Sequence, residues 1–218
     1  MNPSAPIFLD LLSRLRGDEA VALGLSLLER GETDIPGLYE TVIAPALNSI
    51  EIPRNDEGKR IWREHVMTGI CRSLVEQCRP YVLREAATRN PVLGGRTAIL
   101  FAPAEEYHEL GLRMGQDFFT LLGASPVLIG ANLPLSNLAD AVETLAPDLA
   151  CISISNPLNL TVLDEYIAVL RACSKESLTI VLAGGVIGLY QPPSAPDAGP
   201  DLILRSFADL ERMGGLRR

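Results

Sequence analysis

The second half of the chain carries five short apolar runs in which polar residues do not alternate, at 97–102, 125–129, 149–154, 178–183 and 202–204. A strand with one wet face alternates apolar and polar side chains. A strand covered on both faces does not, and that pattern belongs to parallel sheets. Between the runs lie stretches with helical spacing, at 109–122, 135–145, 163–173 and 206–213. Strand and helix in alternation predict a doubly wound α/β domain, flavodoxin- or Rossmann-like, with a five-stranded parallel sheet. The segment 186–200 is rich in Pro and Gly, so the fourth crossover is expected to be irregular.

The first part of the chain has a different period. Phe8, Leu11, Leu12 and Leu15 share one helix face, and Val21, Leu25 and Leu28 form a stripe on a second helix that Gly31 ends. A third helix is expected to open at Asp34, an N-cap with Pro36 just inside, and to run to about Ile50 on Leu38, Val42, Ile43, Ala46 and Leu47. After a polar bend at 53–56, a long helical segment runs to Ala87, with Trp62, Val66, Ile70 and Leu74 at i+4 and Pro80 set to kink or restart it. Four amphipathic helices with short loops predict an N-terminal four-helix bundle. The Asn-Pro and Gly-Gly pairs within 88–96 mark the boundary, giving a bundle at 1–89 and the α/β domain at 90–218.

Composition narrows the function classes. With 19 Lys+Arg against 27 Asp+Glu the formal charge is −8, which argues against nucleic-acid binding, since neutralising phosphates needs clustered cations. No apolar run is long enough for a membrane helix, and the N-terminus lacks the basic region of a signal peptide. Four cysteines without CxxC spacing read as reduced, packed thiols of a cytoplasmic protein. No GxxxxGK[ST] or GxGxxG loop follows a strand, and two histidines make no zinc site.

In an open α/β sheet, ligands bind beyond the carboxyl ends of the strands. The residues just after the first run include Glu106 and His108, with His108 expected at the start of a helix. After the third run come Ser153, Ser155 and Asn156, and after the fourth come Gly184 and Gly185. Gly111 and Gly115, four apart, bare one face of the helix that follows His108, leaving room for something bulky. Taken singly, each has an ordinary structural explanation: a solvated histidine, a turn, a helix face.

In order, these residues resemble the cobalamin-binding signature DxHxxG…SxL…GG of methionine synthase, corrinoid methyl-carrier proteins and cobalamin-dependent photoreceptors. A helical bundle before the α/β domain is also that family's arrangement. The resemblance implies that the dimethylbenzimidazole tail of cobalamin would leave the cobalt and lie beside Gly111 and Gly115. His108 would take its place as lower axial ligand, with Glu106 accepting the other ring N–H. Ser153 and Ser155 would contact the tail, and the Gly184–Gly185 backbone would approach it. Adenosyl-, methyl- and hydroxocobalamin are the forms to consider.

The sequence departs from that signature in ways that bear on function. Glu106 stands for Asp, a variant resembling the ExHxxG motif of CarH-like light sensors, and Ser155 stands for the Leu of SxL. Asn159, six residues after Ser153, holds the place of a relay serine in methionine synthase. CarH-type sensors carry Trp and, ten residues on, Glu-His over the upper ligand. Here Glu64 and His65 match the pair, Arg54 takes the Trp position, and Trp62 either fills the space from another turn or belongs to the core. The favoured expectation is a non-enzymatic, light-responsive cobalamin sensor without a DNA-binding domain. Like the AerR/PpaA-type antirepressors, it would signal by bundle or oligomer rearrangement to a transcription regulator. The alternative is a corrinoid carrier subunit serving a methyltransferase, and a flavodoxin-like domain without corrinoid stays open.

Overall fold

The computed structural model describes residues 2–49, 57–173, 178–192 and 198–213. They divide into two compact units, Met1–Ala87 and Thr88–Arg218. Ile50, the 53–56 bend and residues 193–197 of the fourth crossover lie outside the described residues.

The first unit contains α1 (Ala5–Ser13), α2 (Gly17–Glu29), α3 (Ile35–Leu38), a π-helical turn (Tyr39–Ile43), α4 (Ala44–Asn48), α5 (Glu57–Gln77) and α6 (Arg79–Ala86). As expected, Asp34 caps α3, its carboxylate accepting the Gly37 N–H at 2.8 Å. The widened turn precedes Pro45, which has no N–H to return to Thr41, so the ladder shifts to longer bonds such as Ala44 N–H to Tyr39 O. Phe8, Leu12, Ile35, Leu38, Val42 and Ile43 are wholly buried. Pro80 restarts the helix: the long segment is two helices, parted at Cys78.

Two expected core stripes are displaced around their helices. On α2 the buried residues are Ala20, Gly24 and Leu27, while Val21, Leu25 and Leu28 are half-buried. On α5 the buried face is Met67, Cys71, Leu74 and Val75; Trp62 is 54% and Val66 41% exposed. Gly24 explains the shift, because a Cβ there would stand 2.5 Å from Leu74 Cδ2. The small residue, which a hydrophobic stripe overlooks, lets α2 and α5 close together and turns Val21, Leu25, Val66 and Ile70 toward an open groove. Trp62 is therefore not core.

The second unit alternates β1 (Thr97–Pro103), α7 (Leu110–Leu121), β2 (Ser125–Leu133), α8 (Leu135–Leu145), β3 (Leu149–Ser153), a 3-10 segment (Pro157–Val162), α9 (Leu163–Cys173), β4 (Thr179–Ala183), β5 (Leu202–Ile203) and α10 (Phe207–Met213). All pairings are parallel, in the order β2-β1-β3-β4-β5. β3 is buried along its whole length, as its unbroken apolar run requires, whereas β2 alternates because it is an edge. β2 reaches Leu133 rather than residue 129. Gly130 (φ 104°) and Asn132 (φ 57°) carry it on through register shifts against β1, after the apolar run has stopped. The described part of the fourth crossover has a 3-10 turn at Ile187–Leu189 and no α-helix. No helix among the described residues is long and apolar enough to cross a membrane.

Candidate functional site

The strand order reverses between β1 and β3, so the crossovers that follow these strands run to opposite faces of the sheet and leave a crevice at the carboxyl edge. The two loops meet at one carboxylate. Glu106, 1% exposed, accepts the main-chain N–H groups of Ser155 at 2.8 Å and Asn156 at 2.7 Å on Oε2, where the Asn159 side-chain amide also donates at 3.2 Å. Its Oε1 accepts the His108 main-chain N–H at 3.2 Å and lies 2.5 Å from His108 Nδ1.

Burial alone pushes the Glu106 carboxyl up. The Asn156 N–H, the His108 ring and the N–H groups of Ser155 and His108 outweigh it and bring the pKa down to about 2. An ionised carboxylate only accepts, so Nδ1 carries the hydrogen in this pair. In the neutral imidazole the lone pair then sits on Nε2, and the side chain is 60% exposed. The arrangement presents one oriented nitrogen donor above the sheet edge. His108 precedes α7 by two residues instead of opening it.

The peptide carrying the pair is held tightly. Glu105 has φ 63°, a left-handed conformation unusual for a side chain with a Cβ. The Ala104 N–H donates to Tyr166 Oη at 2.9 Å, the Glu105 N–H to Asn132 Oδ1 at 2.9 Å, and the Glu106 N–H to Pro103 O at 3.1 Å. The Asn132 N–H returns to Glu106 O at 2.9 Å, and Tyr166 Oη donates to Leu133 O at 2.6 Å.

The remaining sequence candidates fall in two groups. A Cβ on Gly111 would meet nothing within 4 Å, and one on Gly115 only Leu100 Cδ2 at 3.4 Å, so this face of α7 is bare. Ser153 is buried and Ser155 half-buried. Gly184 (φ 119°) is explained by protein alone: a Cβ there would stand 2.1 Å from Ile154 O. Gly185 has space, with Ser155 Oγ 3.8 Å from its notional Cβ. Trp62, Glu64 and His65 belong to the first unit. Trp62 and His65 are exposed there, Glu64 is half-buried, and the Arg63 guanidinium lies 5.6 Å from the Trp62 ring.

Sequence reasoning passed over Asn132 and Tyr166 and gave Asn159 no contact with the site. Asn159 had a signal in its spacing from Ser153. Tyr166 reads as one more apolar residue of α9, and Asn132 lies beyond the apolar run that ends at residue 129.

No family model matches the chain, and no curated protein matches it. Among solved structures, the monomethylamine corrinoid protein of Methanosarcina barkeri superimposes with a TM-score of 0.71 at 13% identity, covering 96% of this chain and 96% of that one. That match establishes a shared fold. A cobalamin-binding protein from Desulfitobacterium hafniense DCB-2 gives a TM-score of 0.45 at 15% identity, covering 96% of both chains. The methanol:cobalamin methyltransferase complex MtaBC of Methanosarcina barkeri gives 0.40 at 15% identity, covering 83% of this chain and 67% of that one.

Proposed function

We propose that this chain binds cobalamin and serves as a corrinoid carrier, a non-enzymatic subunit that works with a methyltransferase. The observation that carries the reading is the Glu106–His108 pair, which aims an imidazole Nε2 outward at the sheet's switch point. Among the described residues no three His, Cys, Asp or Glu side chains converge as a metal site. A single oriented imidazole suits a metal whose other ligands come with a cofactor. The bare face at Gly111 and Gly115 fits the same cofactor's need for room along α7.

His108 would bind cobalt, Glu106 would hold the ring in its Nδ1–H form, and Ser153, Ser155 and Gly185 would line the nucleotide tail. Gly184 would keep the backbone beside the tail closed. Bound cobalamin supplies a cobalt centre that accepts and releases a methyl group. Sharing its fold with a methylamine corrinoid protein favours the carrier over the light-responsive regulator, whose upper pocket would need Trp62, Glu64 and His65 together.

The test is retention of hydroxocobalamin through desalting, read by absorption beside His108→Ala. A base-off, His-on spectrum that His108→Ala abolishes supports the reading, and no retained corrinoid defeats it. Loading with methyl- and adenosylcobalamin separates the two roles. Green light that changes the elution volume, implying rearrangement or oligomerisation, would move the assignment to a light-responsive regulator with a transcription-regulator partner.

A further inference from the structure

The loop that bears His108 is strained where it is best held. Glu105 occupies the left-handed region without being glycine, a conformation that persists only where neighbours over-determine it. Two side chains from outside the loop do so. Asn132 takes the Glu105 N–H on Oδ1 and returns its own N–H to Glu106 O, bracketing the strained residue on both sides. Tyr166, 2% exposed, takes the Ala104 N–H and ties it to Leu133 O, so α9 fastens the end of β1 to the end of β2. Asn132 is itself left-handed at φ 57°, a conformation that Asn tolerates better than most residues.

We infer that Asn132 and Tyr166 are positioning residues for His108, a two-sided clamp that holds Glu105 left-handed and thereby keeps the imidazole seated on Glu106. The inference rests on the cobalamin reading for its purpose, though not for its geometry. Released from the clamp, Glu105 would relax toward ordinary backbone angles. Glu106 and His108, one and three residues on, would move with it. Their register against the Ser155–Asn156 loop would then be lost.

Two measurements on the full chain test this separately from cobalamin binding. In the cobalamin-free protein, imidazole nitrogen NMR reports the His108 tautomer, and amide hydrogen exchange reports Ala104 and Glu105. Wild type should show the Nδ1–H form and protected amides. Asn132→Ala and Tyr166→Phe should mix the tautomers and expose those amides, while Asn132→Asp, which keeps the acceptor, should resemble wild type. Adding Glu105→Gly to Asn132→Ala should restore the Nδ1–H form, because glycine needs no clamp at that φ.

With hydroxocobalamin as probe, Asn132→Ala and Tyr166→Phe should each release the corrinoid about 10–100-fold faster while remaining folded by circular dichroism. Wild-type tautomer and exchange in both Asn132→Ala and Tyr166→Phe would overturn the clamp. So would failure of Glu105→Gly to restore the tautomer. Failure of wild type to bind hydroxocobalamin, with the NMR results as expected, would defeat the cobalamin reading and leave the clamp standing.

Discussion

Glu106 Oε1 lies 2.5 Å from His108 Nδ1, yet the two side chains live in opposite environments, the carboxylate 1% and the imidazole 60% exposed. A buried anion thus orients an exposed ring. Replacing Glu106 by Gln keeps the shape but turns an amide N–H into a cage of N–H donors. Glu106→Gln should cost about 2–3 kcal/mol of folding stability, measured by urea denaturation. An unchanged midpoint would mean that the loop does not depend on this carboxylate.

The depressed Glu106 pKa makes stability depend on pH with a definite sign. In the unfolded chain the carboxyl titrates near 4.5, and in the folded protein near 2. Its contribution is complete above the unfolded value and disappears as pH falls through the folded one. Integrated over that interval the loss is on the order of 3 kcal/mol. Urea midpoints taken from neutral pH downward should fall more steeply in wild type than in Glu106→Gln below pH about 5.

Gly184 presses on the backbone that follows β3. A Cβ 2.1 Å from Ile154 O cannot be accommodated by a rotamer change, and φ 119° is strained for any L side chain. Gly184→Ala should lose about 3 kcal/mol or more. Gly185→Ala, which meets only Ser155 at 3.8 Å, should stay within about 1 kcal/mol. Thermal unfolding of the two variants side by side reads the difference.

On α5 the two ends of one i+4 series have different fates. Trp62→Ala should change stability by no more than about 0.5 kcal/mol. Leu74→Ala, at a wholly buried position, should cost about 2–5 kcal/mol. A large loss at Trp62 would show that its ring is covered in solution.

The cysteines give an independent check on packing. Burial pushes the Cys71 and Cys151 thiols up to about 12, and Cys78 is also buried. Native protein should react with a thiol reagent only at half-buried Cys173, and denatured protein at all four. Rapid labelling of a second site in the native state would contradict this core.

Much of this architecture was legible because its signals are local. A run such as 149–154 without polar alternation already demands cover on both faces, and β3 is buried throughout. Asp34 before Pro36 announced a helix start, and the capping bond forms. Glu106, His108 and Gly111 fall close together in sequence, so their spacing was readable before any contact was known.

Helix facing was less legible. Hydrophobic periodicity says that a stripe is apolar, and the nearest neighbour decides whether it is inside. Gly24 allowed Leu74 to approach α2, and the face bearing Trp62 and Val66 turned outward as a result.

By itself the sequence determined the alternation of strands and helices in the second unit and the chemistry available after each strand, since both follow from nearest-neighbour propensity and burial. Only the tertiary structure decided which loops meet. Asn159 reaches Glu106 across 53 residues, and Tyr166 reaches Ala104 across 62. Those contacts exist because the strand order brings the loops of β1 and β3 together at the switch point, and strand order is a property of the whole sheet.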